Sequence, residues 1–116
     1  MERIRVVIVD DQPIHLMVLS SYFDLNIYEV FSFESAEEAL VFAKSNQTDV
    51  YVVDYFMPVY NGVEFIEKIK TMNPRIKCIL YTSEQIEQNN NIDFIMHKPV
   101  VKHSLLSIIE QIINNQ

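Results

Sequence analysis

The stretch Val50 to Gly62, VYVVDYFMPVYNG, constrains this chain more than any other. Val50 to Val53 are β-branched or aromatic with no polar alternation, as in a strand covered on both faces, whereas Pro58, Asn61 and Gly62 cannot continue it. Asp54 therefore falls at the carboxyl end of a buried parallel strand, where an acid is expected to be open to solvent and poised for chemistry. In an open parallel α/β sheet, ligands bind outside the carboxyl ends of the strands, so the question is what else reaches that edge. Taken alone, Asp54 also suits an ordinary turn.

A chain of 116 residues, 49% of them hydrophobic, has material for one core and no room for a second, so residues 1–116 read as a single domain. With a formal net charge of -7 and no Lys/Arg cluster beyond a pair, binding to nucleic acid or to an anionic membrane is not expected. Residues 1–9 hold two arginines and a short apolar run that ends in two aspartates, which is neither a signal peptide nor a membrane span. The expectation is a cytoplasmic protein. Cys78, the single cysteine, lies in an apolar run and reads as a strand residue.

Ile4 to Val9 reads as a first buried strand that stops at Asp10-Asp11. Pro13 suits the first turn of a helix, along which Ile14, Met17, Val18, Ser21, Tyr22 and Leu25 recur as its apolar stripe. A strand over Tyr28 to Phe33 follows. Ser35-Ala-Glu-Glu38 then carries the capping-box pattern, which starts a helix lined by Ala36, Ala39, Leu40 and Ala43. After the central strand, Val63, Phe65, Ile66, Ile69 and Met72 predict a helix up to Asn73-Pro74, and Ile76 to Tyr81 a strand ending at Thr82-Ser83. Glu84 to Asn91 is polar and can bury little. Phe94 to His97 gives a brief fifth strand that ends at Lys98-Pro99, and Leu105, Leu106, Ile108, Ile109, Ile112 and Ile113 line a final helix. Such alternation calls for a parallel sheet with helices on both faces.

Four of the five strand ends thus carry Asp10-Asp11, Asp54, Thr82 and Lys98, which a doubly wound sheet sets side by side on one rim. Clustered carboxylates repel unless a cation neutralises them, and an oxygen-rich set of this kind suits Mg²⁺ shared with a phosphate. Thr82 and Lys98 would face the other side of that phosphate. His15, His97 and His103 have no mutual spacing that suggests a metal site.

With Asp10-Asp11, Asp54-x-x-Met57-Pro58-x-x-x-Gly62, Thr82-Ser83 and Lys98-Pro99 in order, the chain resembles, over its whole length, the receiver domains of two-component response regulators, of the chemotaxis-regulator kind. The resemblance implies a flavodoxin-like five-stranded sheet in the order 2-1-3-4-5. It implies a histidine kinase or phosphotransfer protein as partner, with Asp54 accepting the phosphoryl group. It further implies that Asp11, Asp54 and the Phe56 carbonyl hold Mg²⁺, that Asp10 acts through water, and that Thr82 and Lys98 bind the phosphoryl oxygens. The Lys98-Pro99 bond is expected to be cis. Such a domain is not an enzyme beyond its own phosphorylation and dephosphorylation.

Two other readings use the same residues. An aspartate-based phosphohydrolase lacks an acid two residues after Asp54, where Phe56 stands, and lacks a cap insertion to form a substrate pocket. A degenerate receiver that serves only as a docking module would not need the intact acidic, hydroxyl and lysine positions. The chain departs from the family between Thr82 and Lys98, where the separation is too short for a β-α-β crossover with a long helix. The fourth helix is therefore expected to be stunted or absent. The family's switch aromatic is replaced by Ile95, with Phe94 on the opposite strand face. Output is expected through ordering of Glu84 to Asp93, or through an output domain, a partner protein or a second copy docking there.

Overall fold

A computed structural model describes residues 2–114; Met1, Asn115 and Gln116, which belong to the expected single domain, lie outside the described residues. The elements are β1 (Ile4–Val9), α1 (Pro13–Ser20), β2 (Tyr28–Phe33), α2 (Ala36–Ser45), β3 (Val50–Asp54), α3 (Gly62–Met72), β4 (Lys77–Thr82), β5 (Phe94–His97) and α4 (Lys102–Asn114). All neighbouring strands are parallel and stand in the order β2-β1-β3-β4-β5, the doubly wound arrangement expected from the sequence.

Successive strand residues point to opposite faces, and this sorts the apolar runs into two cores. Val6, Ile8, Val50, Val52 and Ile79 pack with Leu16 and Leu19 of α1 and with Leu105 and Ile109 of α4. Val7, Val9, Tyr51, Val53 and Leu80 face the other way, against Ala36 and Ala39 of α2 and Phe65, Ile66 and Ile69 of α3. Residues 6–9 and 50–53 are fully buried, and each such side chain contributes about 1.5–3 kcal/mol. The small alanines let α2 lie close to the sheet.

The stripe expected on α1 is corrected. Ile14, Met17, Val18 and Leu25 are exposed, the helix ends at Ser20, and Leu16 and Leu19 make the buried face. Ile14, Leu16, Met17, Val18 and Leu19 are apolar nearly all round the helix, so periodicity cannot select one side. Capping is also redistributed. Ser35 Oγ accepts from the Glu38 amide at 3.0 Å, which is one half of the expected box. The complete reciprocal box forms at α3, where Asn61 Oδ1 accepts from Glu64 N and Glu64 Oε1 accepts from Asn61 N, both at 2.9 Å.

Residues 83–93 cross from β4 to β5 without a helix, as their polarity predicts. The segment is held at its far end. Ile92 is buried, and Asp93 Oδ2 accepts from Lys70 Nζ at 2.9 Å and from the Cys78 amide at 2.7 Å. Ile95 packs half-buried on the α2–α3 side of the sheet, whereas Phe94 is exposed.

Candidate functional site

The carboxyl ends of β1, β3 and β4 and the residue after β5 meet at one rim. One carboxylate oxygen from each of Asp10, Asp11 and Asp54 lies within 4.8 Å of the others. Asp10 is fully buried and both its oxygens have partners: Oδ1 accepts from the Gln12 amide at 2.9 Å, and Oδ2 accepts from the Tyr81 hydroxyl at 2.6 Å and lies 2.9 Å from His15 Nδ1.

Asp54, expected to be open to solvent, is 1% exposed. The loop after β3 returns to the end of that strand: the Tyr55 amide donates to the Tyr81 carbonyl at 3.0 Å, and the Gly62 amide donates to the Tyr55 carbonyl at 2.8 Å. A Cβ on Gly62 would stand 2.6 Å from the Asp54 carbonyl oxygen and 2.4 Å from Leu80 Cδ1, so only glycine fits this return. The same loop contains a tight turn in which the Tyr60 amide donates to the Pro58 carbonyl at 2.8 Å, with Val59 at φ 71°. That is the strained kind of γ-turn, rare at a β-branched residue.

Lys98 Nζ stands 3.0 Å from Asp54 Oδ1 as an ion pair. Asp54 Oδ1 is a buried oxygen with no hydrogen bond among the described residues. Burial raises the Asp54 pKa above the ordinary carboxylate value; the charges of Asp10 and Asp11 add to this, and Lys98 opposes it. An unsatisfied buried carboxylate oxygen among two further acids is the donor set a hard divalent cation takes, so these residues fit Mg²⁺.

Thr82 is buried at the end of β4, one step past Tyr81, which is in register with Asp54. Its Oγ1 accepts from the Glu84 amide at 2.9 Å, and its carbonyl accepts from the Lys98 amide at 3.0 Å. Phe56 is 55% exposed, and among the described residues no hydrogen bond takes its carbonyl. The Lys98-Pro99 bond is cis.

Sequence reasoning missed two residues of this rim. Tyr81 read as a strand residue and His15 as an isolated histidine. The available signal was positional: Tyr81 precedes the expected hydroxyl pair, and His15 stands in the first helical turn after the acidic pair.

The family model for the response regulator receiver domain matches residues 6–113, and the chain belongs to that family, the receiver domains of two-component signalling. It is 25% identical over 114 residues to the autoinducer 1 sensor kinase/phosphatase LuxN of Vibrio campbellii, covering 94% of this chain and 13% of that protein. It is 23% identical over 97 residues to sporulation initiation phosphotransferase F of Bacillus subtilis, covering 80% of this chain and 78% of that one. The CheY-like receiver structure from Methanospirillum hungatei superposes with a TM-score of 0.90 at 25% identity, covering 97% of this chain and 95% of that one. The chain therefore spans about an eighth of the sensor kinase's length.

Proposed function

We propose that the chain is a phosphorylation switch in which Asp54 accepts a phosphoryl group from the phosphohistidine of a histidine kinase or phosphotransfer protein. An Asp54 oxygen attacks phosphorus; the new P–O bond forms as the P–N bond breaks, and the electron pair returns to the imidazole, which takes up a proton from solvent. The observation that carries this reading is the buried Asp54 Oδ1, with no hydrogen bond, beside two other carboxylates and one ammonium.

Asp11, Asp54 and the Phe56 carbonyl would hold Mg²⁺, with Asp10 acting through water; the bound ion supplies charge neutralisation at the transferring oxygens. Lys98, already at Asp54, pairs with the phosphoryl group as it arrives, and Thr82 turns its hydroxyl from the Glu84 amide to a phosphoryl oxygen. The exposed, apolar Phe56 offers no group to orient an attacking water, which favours a long-lived phosphoprotein. A cytoplasmic location follows from a partner of this kind. Among the described residues no helix is long and apolar enough to cross a membrane.

Incubation with Mg²⁺ and a small phosphodonor, followed by intact mass measurement, tests the reading. One labile phosphate is expected on the wild-type chain and none on Asp54→Asn, because an amide is not a nucleophile. Stoichiometric labelling of Asp54→Asn at the wild-type rate would rule the assignment out. Continuous turnover of the donor would point to a hydrolase, and no labelling of either chain to a docking module.

A further inference from the structure

Tyr81 is used by none of the motifs, yet it touches both halves of the site. Its hydroxyl donates to Asp10 Oδ2 at 2.6 Å, and Lys98 Nζ lies 5.6 Å from its ring centroid on the way to Asp54. Burial and the neighbouring Asp10 push the phenol far above its ordinary pKa, so it keeps the proton it donates to Asp10. The ring is 2% exposed and forms part of the wall of a cavity of about 460 Å³ shared with His15, Leu19, Tyr22 and Val100.

A carboxylate that accepts from Gln12 and Tyr81 and lies beside His15 has its charge largely compensated without any metal. Such an acid gains less from a cation than a bare one does. Tyr81 and His15 both lie on Oδ2, so turning that oxygen toward a cation in the pocket it shares with Asp11 and Asp54 works against the Tyr81 hydrogen bond. The hydrogen bond from Tyr81 comes from a remote strand, and the adjoining cavity leaves the ring a place to move.

We propose that Tyr81 is a positioning residue that competes with a divalent cation for Asp10, holding the acid in the metal-free protein and releasing it when the cation binds. The ring thereby carries occupancy of the site to the cavity beside α1. This rests on the proposed reading only in placing the cation at Asp11 and Asp54, where Asp10 reaches it through a bound water.

Calorimetric titration of Mg²⁺ into the wild-type and Tyr81→Phe chains measures the competition directly. Tyr81→Phe is expected to bind Mg²⁺ about two- to tenfold more tightly, the worth of one net hydrogen bond. The chain has six tyrosines and no tryptophan, so tyrosine emission reports the release, since a carboxylate acceptor quenches a phenol. Emission should rise with Mg²⁺ in the wild type and not in Tyr81→Phe. Equal or weaker Mg²⁺ binding by Tyr81→Phe of native circular dichroism overturns the proposal, as does an emission rise that persists in that variant. Should the variant not fold, unchanged wild-type emission at saturating Mg²⁺ overturns it equally. Failure of Asp54 to take phosphate would leave these titrations unaffected, so the two readings fail separately.

Discussion

Lys98 Nζ lies 3.0 Å from Asp54 Oδ1, although the lysine follows β5 and the acid ends β3, with β4 between them. The lysine side chain spans that gap past the Tyr81 ring. Lys98 thus faces Asp54 beside two further carboxylates, and the negative charge it leaves uncompensated at Asp54 is stored electrostatic strain.

That strain predicts a pH dependence. The Asp54 pKa is raised by burial in the folded chain, so the folded state holds its proton more tightly than the unfolded state does. Stability from this group is fully present below the unfolded pKa and is lost as pH rises through the folded one. Without metal, wild-type stability relative to Asp54→Asn should fall across the interval above the ordinary aspartate range. At neutral pH, where the burial penalty on the charged carboxylate is in force, the asparagine variant should be the more stable of the two. Urea unfolding of both chains at several pH values checks this, and parallel curves would refute it.

Gly62→Ala should destabilise the chain by about 2–3 kcal/mol, because its Cβ meets backbone at 2.6 Å as well as the Leu80 side chain. The return of the β3–α3 loop to the end of β3 should loosen with it. A urea midpoint that stays at the wild-type value would show that the loop can shift without cost.

Val59→Gly should act in the other direction. The left-handed backbone at Val59 costs a β-branched residue about 1–2 kcal/mol, part of which glycine returns as unfolded-state entropy. A net gain of about 0.5–1 kcal/mol is expected from thermal unfolding. A loss of stability would mean that this exposed turn is held by contacts of the valine methyls.

Phosphorylation should be read out in the helix-free crossing. Hydrogen exchange with and without a phosphoryl mimic is expected to change at Glu84 to Asn91, starting from the Glu84 amide that Thr82 Oγ1 now accepts. Ile92 and Asp93 should stay protected, being buried or tied to Lys70 and Cys78. No change within Glu84 to Asn91 would sink this route.

The strands and their polar ends were legible because each is a local pattern. Val50 to Val53 cannot avoid reading as a buried strand, and Glu84 to Asn91 has too little apolar surface to hold a helix against a sheet. The neighbourhood of Asp10, Asp11, Asp54 and Lys98 followed from the β-α alternation, since the parallel strands of a doubly wound sheet bring their carboxyl ends to one edge. What the sequence could not decide depends on which distant atoms share a small volume. The buried side of α1 was open because five apolar residues surround the helix, and the sheet selected Leu16 and Leu19. Asp54 is buried rather than exposed because it ends a central strand among Asp10, Asp11 and Lys98, a neighbourhood that only the packed fold assembles. The Tyr81–Asp10 bond joins residues 71 positions apart, and only the packing of β4 beyond β3 and β1 puts that hydroxyl on that acid. Periodicity is set within a few residues, whereas side-chain hydrogen bonds between strands are set by the packed tertiary fold.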